Sequence, residues 1–472
     1  MPAQGFRAGL RRAKSAPQPP CCFLGGILAK TSDVDFLARP SGTALEPTWG
    51  ELELARSPSP RTGGRLVPHL CALLPRRTSP AAAAAKPVIP AAFADTGGVT
   101  THGTQGHLPG WIASPQEGAL VRLLRTLPGP DAGFARAWST LDDPVALLGL
   151  ARAHALEGPL RGALAGLPQE APAPLPQPPG REAAEARLRH AWTRAALDEA
   201  SAALDEAKLR HVVLKGPLLA EDLYSDPGQR VSLDLDLLVA PADLELALSA
   251  LLELGYFSEN GPHATYSRAH HVHLHLARAD RPLVELHFRA FRGFGIELAA
   301  EPLLARSLPR PGAAGSLRVL EPHDRFVYLA LHAAGHLLER LGWLYDLKLF
   351  LAKVPLDPTL VAARAEELGA GPAVALACSA LAEIEPSSAT LDVLRALLPT
   401  PRRLPLAARL RRAHQRGPRD TPRATLERIA FQTLLAPSPP AGARFLAHHL
   451  GRIARRRFQR ALPALAPQDW AG

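Results

Sequence analysis

Aromatic side chains, cysteine, methionine and long apolar runs are all scarce in this chain of 472 residues, and each shortage removes a class of protein. The first thirty residues hold only the short apolar run Cys21 to Leu28. It is too broken for the core of a secretion signal and far too short to span a bilayer. No membrane span is expected, and a cytoplasmic location follows by default. Cys21, Cys22, Cys71 and Cys378 lack metal-ligand spacing, which argues against a disulfide scaffold or a zinc ribbon. Only 5% of residues are aromatic. The basic groups Arg402-Arg403, Arg409, Arg411, Arg412 and Arg455-Arg456-Arg457 therefore have few stacking partners, and they read as solvated helix faces. The net charge of +10 would suit an anionic partner, but nucleic acid is no more than a secondary candidate. Met1 is the single methionine, so no internal start codon can be nominated.

What is abundant is Ala and Leu within a 47% hydrophobic total, which favours helix. The 48 prolines and 37 glycines cluster, marking linkers and low-complexity stretches. Residues 1–108 show no sustained period of 2 or 3.6 and are expected to be disordered or an over-extended reading frame. A helical module is expected over 109–205, with a proline-rich linker at 168–180. One of its helices starts at Asp143-Pro144, an N-cap acid before proline at the first helical position. Residues 301–472 read as a second helical module. Its pattern starts at Glu321-Pro322-His323-Asp324 and runs through Leu351, with Gly342 as the expected break.

Between them, residues 206–300 change character. Short β-rich runs at His211 to Leu214, Val231 to Val239, Ala264 to Ala277 and Pro282 to Arg289 alternate with helical patterns opening at Pro217 and Pro241. The fold class is α+β: a small mixed sheet with helices on one face, flanked by N- and C-terminal helical modules.

Alternation along Val231 to Leu237 puts Ser232, Asp234 and Asp236 on one strand face. Neighbouring carboxylates repel unless a cation lies between them, and Mg²⁺ or Mn²⁺ with triphosphate oxygens would meet that need. On these grounds Asp236→Asn or Asp234→Asn should leave the metal-free fold intact or slightly more stable. The following hairpin fixes its own register through Val272, Leu274 and Leu276 against Val284, Leu286 and Phe288. A three-residue loop Ala279-Asp280-Arg281 sets His275 opposite Glu285 and His273 opposite His287. Glu285 would join the two aspartates if their strands are neighbours. His273, His275, His287 and Arg289 would wall the site; a zinc-type cluster of the histidines is the weaker reading, because residues two apart on a strand converge poorly on one ion. His332 and His336 are four apart on a helix, but Ala333 stands where a metalloprotease carries its glutamate, so packing is the expected role.

Leu214-Lys215-Gly216, Leu223 to Gly228, Arg230, Asp234 to Val239 and Val284-Glu285-Leu286-His287, followed by His332, His336, Trp343 and Asp346, together resemble a known family. It is the polymerase-beta-like nucleotidyltransferase superfamily, in a bacterial branch described only as nucleotidyltransferase proteins, over about residues 206–351. The resemblance implies a metal-dependent transfer of a nucleoside monophosphate from a nucleoside triphosphate to an unassigned acceptor. It places catalytic and metal-binding roles on Asp234, Asp236 and Glu285 and a phosphate contact on Gly216. Lys215, Arg230 and Ser232 complete the expected nucleotide-binding set, the cations matching charge on a transferring phosphoryl group. The superfamily's Gly-Ser turn is Gly216-Pro217 here, so a relative that keeps the fold and binds a nucleotide or partner without turnover is the alternative.

Overall fold

The computed structural model describes residues 114–129, 131–167, 179–258, 271–310, 317–397, 404–416 and 421–461. Segment 1–108 lies outside these residues, as do 264–270 of the third expected strand.

Among the described residues four short helices come first: α1 (Pro115–Thr126), α2 (Ala132–Ser139), α3 (Pro144–Ala153) and α4 (Glu157–Ala165). Their starts follow from capping chemistry. Ser114, Asp131 and Asp143 each accept a backbone N–H of the first turn, and Pro144 follows Asp143 as expected. The long α5 (Pro179–Glu206) then leads into the sheet.

The sheet is built from β1 (His211–Val213), β2 (Asp234–Val239), β3 (Phe257–Ser258), β4 (His273–Ala277), β5 (Leu283–His287), β8 (Leu308–Pro309) and β9 (Arg318–Val319), in the order β3-β4-β5-β2-β1-β9-β8. The pairs β2–β5 and β1–β9 are parallel and the others antiparallel, so the sheet is mixed. A separate ribbon pairs β6 (Arg289–Gly293) with β7 (Ile296–Ala299). Inserted helices are α6 (Pro217–Leu223), α7 (Leu244–Glu253) and α8 (Ala300–Arg306). The chain continues through α9 (Pro322–Gly335), α10 (Leu341–Lys353), α11 (Pro358–Glu367), α12 (Gly371–Ile384), α13 (Ser388–Ala396), α14 (Leu404–Arg416), α15 (Pro422–Leu434) and α16 (Pro439–Ala461).

Period-two alternation divides the sheet into two faces. Val213, Leu235, Leu237, Leu274, Leu276, Val284 and Leu286 share a core with Ala196, Leu197, Ala200 and Leu204 of α5 and Leu244, Ala247 and Leu251 of α7. On the other face Val212, Leu214 and Leu238 join a larger core with α1–α4 and the helices after β9. Lys348 of α10 ties those helical groups together. Its buried ammonium donates to the carbonyls of Leu124 and Arg125 at 2.8 and 3.1 Å, the free C-terminal carbonyls of α1, and pairs with Glu385 at 3.0 Å.

Three sequence expectations change. The second strand starts at Asp234, not at Val231, because Val231 and Leu233 are 47% and 43% exposed and have no apolar layer to enter. The helical pattern after Glu321 breaks at Leu337 and Leu338, which take φ values of 56° and 52°, and not at Gly342. Arg411 holds that turn by donating to the carbonyls of Leu337 and Leu338 at 2.8 and 2.6 Å; it is fully buried, contrary to its reading as part of a solvated face. Gly342 lies inside α10, where a Cβ would meet the His154 carbonyl oxygen at 2.7 Å. Its own N–H donates to that oxygen at 2.9 Å. Gly342→Ala should therefore destabilise the protein by about 1–3 kcal/mol through overpacking. A melting temperature equal to that of the wild type would show that α3 and α10 can separate without cost.

Candidate active site

The site is produced by one pairing, the parallel ladder between β2 and β5. Asp236 lies opposite Glu285 and Leu238 opposite His287, while the antiparallel ladder of β4 on β5 sets His275 against Glu285 and His273 against His287. Both hairpin registers are those inferred from the apolar alternation. A row His275, Glu285, Asp236 thus crosses three strands on one face, and Asp234 is one pleat along β2 from Asp236. No backbone irregularity is needed for the acids to meet.

Lys215 reaches the row from the segment after β1, with its Nζ 2.9 Å from Asp236 Oδ1. His287 Nε2 lies 3.3 Å from the same oxygen and 3.5 Å from Glu285 Oε2. Glu285 is also 3.7 Å from His273 Nδ1 and 3.6 Å from His275 Nε2, and the Nε2 atoms of those two histidines share a hydrogen bond of 2.8 Å. Asp236 is fully buried and the Lys215 side chain is 16% exposed. Burial would suppress the charge on Lys215, but Asp236, Asp234 and Glu285 outweigh it and raise its pKa well above the ordinary range. Burial likewise opposes a charged His287; hydrogen bonds to Asp236 and Glu285 prevail and raise it to about 9. Desolvation of Glu285 is overcome by His287, His273 and Lys215, which hold its carboxyl far below the usual range. Three acids thus face two cations, an ammonium and an imidazolium, in a largely dry setting.

The donor set fits a divalent ion. Asp236 Oδ2 is buried with no hydrogen-bond donor among the described residues, although its partner oxygen has two. One ligand atom from each of His273, Glu285 and His287 also lies within 4.8 Å of the others. The histidines therefore converge more closely than strand alternation suggests: His287 joins from the neighbouring strand, and His273 and His275, two apart on one strand, bring their Nε2 atoms to 2.8 Å. Carboxylate oxygens suit Mg²⁺ and Mn²⁺, and imidazole nitrogens extend the range toward later divalent metals.

The remaining expected residues divide. Gly216 has φ 75°, which an L side chain rarely adopts, and this turn sets the path from Lys215 into α6. Arg230 and Ser232 are near that turn but are engaged with the protein. Arg230 Nη1 donates to the Gly216 carbonyl at 3.3 Å and to Ser232 Oγ at 3.0 Å. Its Nε and Nη2 donate to Asp346 of α10 at 3.0 Å each. Tyr224 Oη adds a 2.7 Å hydrogen bond to the same carboxylate. The buried Arg230–Asp346 pair ties the glycine turn to α10, which gives Asp346 a bracing role. Arg289 does not join the wall. The N–H groups of Phe288 and Arg289 both donate to the Val272 carbonyl, at 3.0 and 3.2 Å, which ends the regular ladder. Arg289 then enters β6 and pairs with Glu297 at 2.6 Å.

His332 and His336 of α9 meet Trp343 of α10, with ring centroids 5.2 and 5.0 Å from the indole. Tyr328, which sequence reasoning did not single out, lies one turn before His332 with ring centroids 6.3 Å apart. Burial foremost, and then the Lys215 charge, hold His332 well below its ordinary pKa, so its ring is neutral near pH 7. No helix among the described residues is long and apolar enough to cross a membrane.

A family model described as "Uncharacterised nucleotidyltransferase" matches residues 141–384, just over half of the chain. No curated protein and no solved structure matches.

Proposed function

From the premise that the chain belongs to the uncharacterised nucleotidyltransferase family, we propose that it moves a nucleoside monophosphate from a nucleoside triphosphate to an acceptor, releasing pyrophosphate. The reaction would depend on Mg²⁺ or Mn²⁺ held by Asp234, Asp236 and Glu285. The observation that carries this reading is the β2–β5 ladder, which sets Asp236 beside Glu285 on a buried sheet face, with Asp236 Oδ2 lacking a donor among the described residues. When bound, the divalent ion supplies Lewis-acid charge to the triphosphate oxygens.

The chain's own residues supply the rest. Lys215 keeps a full positive charge beside the acids, where negative charge on a transferring phosphoryl group needs compensation. The φ 75° turn at Gly216 aims it there, and Arg230, fixed to Asp346, holds that turn in place. His273 and His275 buttress Glu285 from the neighbouring strand and keep bulk water from its carboxylate.

The test is turnover by the full chain with each common nucleoside triphosphate, Mg²⁺ or Mn²⁺, and cell extract as acceptor source, read as pyrophosphate release and transfer of label from the α-phosphate. Expected is metal-dependent labelling that Asp234→Asn abolishes. A metal-dependent rise in melting temperature with triphosphate but no labelling from any nucleotide would instead favour a binding protein without turnover. If neither labelling nor a thermal shift occurs, the proposed reaction is wrong.

A further inference from the structure

We infer that His332, His336 and Trp343 form the platform that receives the nucleobase of the triphosphate, a site distinct from the acids that hold its phosphates. The inference rests on the proposed nucleotidyl transfer and adds where the base is bound.

Three observations support it. First, the rings form one cluster, with centroid separations of 4.6 Å for His332–His336, 5.2 Å for His332–Trp343 and 5.0 Å for His336–Trp343. Their planes meet at 59°, 79° and 42°, so no pair is stacked face to face and π-faces are left uncovered by the other two rings. Such rings serve any base, because every base presents a π-face. Second, all three side chains are only partly buried, whereas most other Phe, Tyr and Trp side chains among the described residues lie in the core. Arg340, exposed at the start of α10, places its guanidinium over the Trp343 ring, 5.6 Å from its centroid, so a cation already lies over that ring.

Third, the cluster is adjacent to the phosphate end. Trp343 precedes Asp346 by three residues on α10, so both occupy one helix face less than a turn apart. Asp346 is joined through Arg230 to the Gly216 carbonyl, and Lys215 is the next residue back along the chain. From the other side, the charges of Lys215 and Glu285 act on His332. A nucleotide has its base and triphosphate separated by one sugar, which matches a ring cluster beside an acid and lysine cluster. A structural role alone would not require the rings to be partly exposed.

The experiment compares binding of ATP, GTP, CTP and UTP with that of inorganic tripolyphosphate, each with Mg²⁺, by calorimetry on the full chain. Trp343→Ala should weaken nucleotide binding roughly tenfold or more. It should leave tripolyphosphate binding unchanged, and Trp343→Phe should recover most of the loss. His332→Ala should act in the same direction, with melting temperatures confirming that each variant is folded. Equal losses for nucleotide and tripolyphosphate, or no loss for either in a folded Trp343→Ala protein, would overturn the platform while leaving the phosphate site standing. If the wild type binds neither probe, the nucleotidyl-transfer reading fails first.

Discussion

Asp236→Asn is expected to weaken the metal-free protein by about 3–5 kcal/mol, the usual cost of breaking a buried pair by removing one partner. The variant leaves the Lys215 ammonium facing an amide at 2.9 Å, with the His287 imidazolium beside it. This reverses the expectation drawn from sequence, in which loss of one acid relieves repulsion within a cluster. The cluster is already balanced by Lys215 and His287, so deleting the buried carboxylate removes an attraction. Asp234→Asn provides the contrast. Asp234 is partly exposed at the start of β2, where a lost charge costs about 1 kcal/mol or less. Both variants should lose metal-dependent triphosphate binding, yet only Asp236→Asn should melt much earlier. Thermal melts in chelator decide the matter, and Asp236→Asn melting within a degree of the wild type would refute the account. Lys215→Met should be as damaging as Asp236→Asn, since it leaves three acids with one cation.

The second large effect is a fall in metal-free stability as pH rises. His287 has a folded pKa raised to about 9, against roughly 6.5 in the unfolded chain. The folded state therefore binds this proton more tightly. Its stabilisation is fully present below pH ~6.5 and is lost as pH climbs through about 9, by on the order of 3 kcal/mol in all. Glu285 works in the opposite sense and at lower pH. Its folded pKa is depressed, so its contribution is present above its unfolded value and is lost as pH falls. Melting temperature in chelator should thus decline between about pH 6.5 and 9. His287→Gln should flatten that decline. With a divalent ion the trend should invert, because metal and proton compete for the same carboxylates and imidazole. Apparent metal affinity should rise across the same window. Parallel pH profiles for wild type and His287→Gln would show that another group governs the decline.

Much of this site was legible in the sequence for a simple reason. Val272 to Leu276 and Val284 to Leu286 alternate strictly, and one apolar core can accept only one register, so the opposition of His275 with Glu285 followed without a structure. Two local mistakes came from applying alternation past the point where a core supports it. Val231 and Leu233 look like strand residues but are exposed, and Arg289 looks like a continuation of β5 but begins another ribbon. The long-range partners were harder to see. Arg230 and Asp346 are 116 residues apart, and no periodicity links a loop arginine to a carboxylate inside an apolar helix. Asp346 offered one signal, as a charge on an otherwise apolar helix face, and buried charges require partners. Lys348, two residues on, carried the same signal and has the same explanation. Gly342 was misleading because glycine in a helix suggests a break when it can equally mark close approach of another backbone.

The parallel ladder of β2 on β5 makes the core and the site a single decision. Slipping one strand by a residue relative to the other would invert its faces, driving Asp236 into the layer of Leu235 and Leu237 or Glu285 into that of Val284 and Leu286. Such a slip would bury a carboxylate among leucines and expose the leucines to the charged face, so a sheet slipped by one residue is strongly disfavoured. The same alternation that seats Leu235, Leu237, Val284 and Leu286 in the core keeps Asp236 and Glu285 on the opposite face. Variants that fold but lose the proposed activity should instead arise on α10, which carries Asp346 and Trp343 outside the strand register.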